Sequence, residues 1–160
     1  MMYLWITRFF ASALILGGAI GGLLSAMAFP QTVGQGLAAS AALALGGLLY
    51  VSALVMGVGL WKRRQYGIVG APILFALQVP ILSGPGFSYS WFTGAAATYL
   101  TGTNTQRWAF EVGASDTLSF ASAGTEWAYG INIFALVAAA CLAAVRPNNS
   151  SKPTPLRGAA

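Results

Sequence analysis

The chain has 160 residues, of which 57% are hydrophobic and only 7% charged, and its mean hydropathy is +0.70. Soluble domains carry about 25% charged residues, so this composition excludes an ordinary water-soluble globule. The formal charge of +5 does not indicate a nucleic-acid partner, because the basic residues flank apolar runs instead of gathering on one polar face.

Residues 9–29 form the first uncharged run, long enough to cross a hydrocarbon core of about 30 Å at about 1.5 Å per residue. Arg8, the run itself and Ala26-Met27-Ala28 imitate a secretory signal. The run exceeds the usual signal core of about 7–15 residues, so a retained spanning helix is expected. Inside it, Gly17 with Gly21 and Gly18 with Gly22 make two overlapping small-xxx-small pairs, which let helices approach closely. Residues 37–60 form the second span, closed by Trp61 and the basic run Lys62-Arg63-Arg64. Ala42 with Gly46 and Ala53 with Gly57 repeat the small-residue spacing there. Packing between these two helices is the simpler expectation, and self-association is the rival one.

The third expected span, 67–82, is shorter and contains Pro72, placed in its first turn, and Pro80, which frees the carbonyl of Ala76 and bends or ends the helix. Gln78 is the strongest polar residue inside any span. Its side chain is expected to bond a freed carbonyl or a neighbouring helix; the alternative is a place in a transport path. The fourth span, 127–145, ends at Arg146 and Pro147, with Asn132 near its outer end as a similar interfacial bond. Cys141 lies within it, a lone thiol expected to pack as a small hydrophobe.

Lysine and arginine set the orientation. Arg8, Lys62, Arg63, Arg64, Arg146, Lys152 and Arg157 fall on one side of a four-span arrangement and only Arg107 on the other, so both ends are expected in the cytoplasm. Residues 147–160, rich in Pro, Asn and Ser, are expected to be a disordered tail. The Ala- and Gly-rich composition suggests a bacterial inner membrane.

Residues 83–125 would then form an outer loop, and its character differs, with Gly, Ser, Thr and aromatic residues alternating at a period of two. Strands are expected over 87–91, 96–100, 108–112 and 117–121, separated by turn chemistry at 101–105 and at Gly113-Ala114-Ser115-Asp116. In the 108–112 strand the large apolar groups share one face and Arg107, Ala109 and Glu111 the other. The expected fold is thus an integral membrane α+β domain over 1–146: a bundle of four transmembrane helices with a small antiparallel β-meander in the outer loop between helices 3 and 4. The meander should lie over the outer helix ends or among the lipid headgroups. Part of its aromatic face, Tyr89, Trp91, Trp108 and Phe110, is the expected contact for a partner or ligand.

Catalysis has little to work with. The chain has no histidine, one cysteine and three acids, Glu111, Asp116 and Glu126, expected to be solvated loop carboxylates. No phosphate loop, nucleophile elbow or metal-ligand cluster is present, so no cofactor, metal or catalytic residue is expected. The sequence therefore points to a non-catalytic multi-pass protein acting as an accessory or assembly subunit, with the bilayer and other membrane subunits, or copies of itself, as partners. The alternatives are an oligomeric pore or small transporter and an outward-facing binder of an apolar ligand such as a lipid or quinone.

Overall fold

The computed structural model describes residues 2–102, 105–119 and 126–144. In chain order they form helix α1 (Met2–Thr32), a 3-10 turn (Val33–Gln35), helices α2 (Leu37–Trp61) and α3 (Gln65–Leu77), strands β1 (Pro80–Gly84), β2 (Phe87–Gly102), β3 (Thr105–Ser119) and β4 (Ala128–Asn132), and helix α4 (Ile133–Ala144). Among the described residues the architecture is α+β, with four helices and one four-stranded antiparallel sheet.

Two helices are long and apolar enough to cross a membrane, α1 over Leu4–Thr32 and α2. Leu16, Ile20, Leu24, Leu45, Leu48 and Val55 are exposed on their surfaces, an arrangement suited to contact with lipid. Where the two helices meet, small residues bring the backbones together. A Cβ added at Gly18 would stand 2.7 Å from the Leu54 nitrogen, and one at Gly57 would stand 2.9 Å from the Leu14 side chain. At the opposite end from the 3-10 turn, the Arg8 guanidinium lies over the Trp61 ring, 5.6 Å from its centroid. The chain then reverses into α3 through Arg63, which takes the left-handed conformation at φ 54.

The two later expected spans turn out to be helix for most of their length and strand at one end. The third does not continue as a helix to residue 82: α3 stops at Leu77, and Gln78 and Val79 donate their N–H groups to the carbonyls of Phe75 and Ala76 in a tight last turn. Pro80 cannot extend the helix and instead opens β1. Pro72 lies buried in the interior of α3 and not in its first turn. The fourth begins as β4, where Tyr129, Gly130, Ile131 and Asn132 follow strand alternation, and becomes helical only at Ile133. At about 1.5 Å per residue, α3 and α4 are each shorter than a hydrocarbon core. Their junctions with the strands lie side by side, the Asn132 N–H donating to the Val79 carbonyl at 2.9 Å.

The sheet is not a meander. Its order is β1-β4-β2-β3, so β4 enters between β1 and β2, and β1 also pairs with the start of β2. The four short strands expected between 87 and 121 are two long ones, in unbroken register from Ser88↔Ser119 to Gly102↔Thr105. The expected turn at 101–105 falls at the hairpin end, whose residues 103 and 104 lie outside the described residues, as do 120–121 and the expected tail. Gly113-Ala114-Ser115-Asp116 is not a turn but part of the ladder. Gly113 stands opposite Gly94, with φ of 134 and 86 respectively, so this glycine pair bends both strands together without reversing either. Pairing demands the bend: β1 runs antiparallel to the start of β2, while β4 runs antiparallel to both β1 and the end of β2, which a straight β2 could not satisfy.

Nor does the sheet sit over the helix ends. It lies along the flank of α1 and α2, where a Cβ on Gly17 would come within 2.8 Å of the Thr93 backbone. Below this contact the helices close on a shared core of Phe10, Leu14, Ala53, Leu74, Phe75 and Leu142, into which Trp91 also reaches. Phe10 meets Phe9, Phe75 and Phe134 edge to face at centroid distances of 5.4, 5.6 and 5.9 Å. Cys141 is half-buried, a free thiol packed against this core.

Candidate functional site

The second edge of β2 pairs with β1 only at 87–89 and with β4 only at 98–102. Between these stretches the strand would leave backbone donors without partners, and a buried N–H must find one. Two amide side chains supply them. The Gln78 Oε1 accepts from the Thr93 N–H at 2.9 Å while its Nε2 donates to the Thr93 hydroxyl at 3.1 Å. The Asn132 Oδ1 accepts from the Ala97 N–H, and also from the Ala135 N–H in the first turn of α4, both at 3.3 Å. Gln78 thus bonds neither a carbonyl freed by Pro80 nor a neighbouring helix but a strand, and it is fully buried. The Asn132 Nδ2 is buried without a partner among the described residues.

On the outer face of the sheet, the half that precedes the glycine bend is docked on the helices. Trp91 and Asp116 are register partners, and Tyr50 of α2 meets both: its ring lies edge-on to Trp91 at 6.2 Å and its hydroxyl donates to the Asp116 Oδ1 at 2.9 Å. Gly46 makes room for the carboxylate, since a Cβ there would stand 2.8 Å from its second oxygen. Asp116 is therefore not a solvated loop acid. Tyr50→Phe removes the donor and is expected to cost about 1.5–3 kcal/mol, the range for a hydrogen bond to a charged group. Thermal unfolding of the purified protein in detergent checks this, and an unchanged midpoint would contradict it.

Beyond the bend the outer face is uncovered. Trp108, Phe110 and Val112 are 59%, 78% and 92% exposed, and Tyr129 and Ile131 continue the same face through the pairs Thr101↔Tyr129 and Tyr99↔Ile131. Tyr99 and Trp108 lie 4.9 Å apart, and Trp127 stacks on Tyr129 at 6.1 Å. The bend thus divides the four expected contact residues. Trp91 is in the core; Tyr89 is half-buried, its hydroxyl donating to the Leu77 carbonyl at 2.6 Å and its phenol pushed upward in pKa by burial; Trp108 and Phe110 are open.

The inner face borders an open cavity of about 720 Å³. By register, Ser88, Ser90, Phe92, Thr98 and Leu100 of β2 share this face with Arg107, Ala109, Glu111, Ser115 and Thr117 of β3; these residues, Ser83 and Asn132 line the cavity, and Tyr89, Trp91 and Trp108 of the other face also border it. Eight hydroxyl-bearing residues, an amide and two opposite charges line one space. The strand alternation announced this polar face, but reading the glycines at 113 and the strands around it as separate pieces hid the curvature that makes it concave. Glu111 lies on the inner face and Asp116 on the outer one, and no three metal-ligating side chains come together among the described residues.

The glycines singled out in the sequence have contacts inside the chain. Gly17 faces Thr93 and Gly94 of β2, Gly18 faces α2, Gly21 faces the Tyr50 ring, Gly46 faces Asp116 and Gly57 faces α1; Gly22 has only the Tyr50 Cβ, at 4.0 Å. Comparison of the chain with protein-family models, with curated proteins and with solved structures gives no match.

Proposed function

We propose that this chain is an accessory subunit of a membrane complex, a non-catalytic integral membrane protein that holds a partner membrane protein against the outer face of its sheet. The observation that carries the reading is the row Trp108, Phe110, Val112, exposed on a strand paired along its length with β2 and left uncovered by the helices. Aromatic and aliphatic side chains presented together on a paired strand have the chemistry of an interface core.

In this reading four segments cross the bilayer, with both ends in the cytoplasm of a bacterial inner membrane, and the third and fourth crossings are the α3–β1 and β4–α4 units. Backbone at membrane depth must be satisfied within the protein. β4 has a strand on both edges over Ala128–Ile131, and β1 has one on both edges at Leu82 and Ser83, which supports this placement. The outer edge of β3 lacks a strand partner among the described residues, so that strand belongs where water or a partner can reach it. An oligomeric pore draws less support, because Gly17, Gly18, Gly21 and Gly57, the residues for a self-packing face, are taken up within the chain.

A photo-crosslinking amino acid placed at Phe110 and activated in native membranes tests the proposal. The expected product is a discrete band joining this chain to a different polypeptide. Adducts with lipid alone, or with a second copy alone, would overturn it.

A further inference from the structure

The inner cavity carries a pair of charges that the docking role does not use. Arg107 is the basic residue that stands apart from the others in the distribution of charge along the chain, and Glu111 is on the same strand and the same wall. Neither forms an ion pair with a described residue. Four residues along a strand separate their Cα atoms by about 13 Å, too far for direct pairing of the two side chains. Only Ala109 stands between them on that wall, and the register places Ala96 opposite Glu111, Thr98 opposite Ala109 and Asn132 opposite Thr98. The floor between the charges is thus small, and one row of it ends on Asn132, whose Nδ2 is buried and unpartnered.

We propose that this cavity binds a zwitterionic small molecule, its acid group held by Arg107 and Asn132 and its ammonium group by Glu111. The gap suits a ligand whose opposite charges lie a few Å apart, because each end then meets a charge-assisted hydrogen bond and the orphaned amide N–H gains an acceptor. A carboxylate and a phosphodiester both qualify as the acid, so the source is either a free amino acid or the headgroup of an aminophospholipid. The site is on the sheet face opposite Phe110, and its test is independent of the partner.

The full chain is reconstituted in nanodiscs of phosphatidylglycerol, a lipid without an ammonium group, and titrated by calorimetry with glycerophosphoethanolamine and with L-alanine. Glycerol 3-phosphate and ethanolamine serve as single-charge controls. At least one zwitterion should bind, at least roughly tenfold tighter than either control, and Arg107→Gln and Glu111→Gln should each weaken it by roughly tenfold, the loss of one charge-assisted contact. Both side chains are exposed, so the variants should melt with wild-type protein. Preference for glycerophosphoethanolamine assigns the lipid headgroup, and preference for alanine assigns the free amino acid. Absence of zwitterion binding, equal binding of glycerol 3-phosphate, or affinity unchanged in Glu111→Gln would each overturn the proposal.

Discussion

Gly94→Ala is expected to destabilise the protein by about 2–5 kcal/mol, and Gly113→Ala by only about 1–2 kcal/mol, although the two glycines face each other across one hairpin. Both have positive φ, 86 and 134, so both alanines pay the conformational cost. They differ in surroundings. A Cβ on Gly94 would stand 2.6 Å from the Ala13 Cβ and 2.9 Å from the Ala13 carbonyl oxygen, on a helix that cannot yield, whereas nothing lies within 4 Å of one on Gly113. The difference between the variants therefore isolates the docking of the bent sheet on α1 from the bend itself. Thermal unfolding of each in detergent, followed by tryptophan fluorescence, gives the comparison. Equal losses would mean that the sheet does not rest on α1 at this point.

The same glycine pair explains how far the sequence could be read. Charge-free runs and basic flanks located α2 to within one residue and placed α1, which begins seven residues earlier than its uncharged run, because length and hydropathy decide such helices. Period-two alternation correctly marked the strand-forming stretch and separated the faces of 108–112, with Arg107, Ala109 and Glu111 against Trp108 and Phe110. What misled was the dual meaning of glycine. Gly113 followed by Ala, Ser and Asp has turn composition, yet its role depends on Gly94, nineteen positions earlier in the chain, and such a pairing is invisible to a local window. The extents of the two later helices were misjudged for a related reason. Apolar composition continues through Pro80 to Leu82 and from Trp127 to Ala144, so hydropathy saw two uniform crossings where proline and β-forming residues change the backbone partway.

The site was legible only in halves. Aromatic residues at alternate positions suggested one continuous contact face, but the bend sends Trp91 into the core beside Tyr50 and leaves Trp108 and Phe110 outside. Asp116 looked like any loop acid until the docked half of the sheet placed it against Gly46 and the Tyr50 hydroxyl. The cavity required both the bend and the order β1-β4-β2-β3, and nothing in a list of strands implies that β4 enters between β1 and β2.

Replacing Gln78 by leucine, similar in size and unable to hydrogen-bond, should cost about 2–5 kcal/mol, because two buried groups of Thr93 lose their partners at about 1–3 kcal/mol each. Gln78 and Thr93 are both fully buried, so water offers no compensation. The effect should be cooperative. Thr93→Val alone orphans the Gln78 Nε2, but in a protein already carrying Gln78→Leu it removes a hydroxyl that has no partner, so its cost there should be small or reversed in sign. A double-mutant cycle on unfolding free energies measures this coupling. Additive losses would show that the Gln78 Nε2 and the Thr93 hydroxyl do not act as a pair, and would leave the edge of β2 to the backbone donors at Thr93 and Ala97, held by the Gln78 Oε1 and the Asn132 Oδ1. Coupling of about 1 kcal/mol or more would establish that a residue first noticed as a lone polar group in an apolar run serves to fasten the sheet to the helices, which makes it a requirement for the cavity and for the outer face alike.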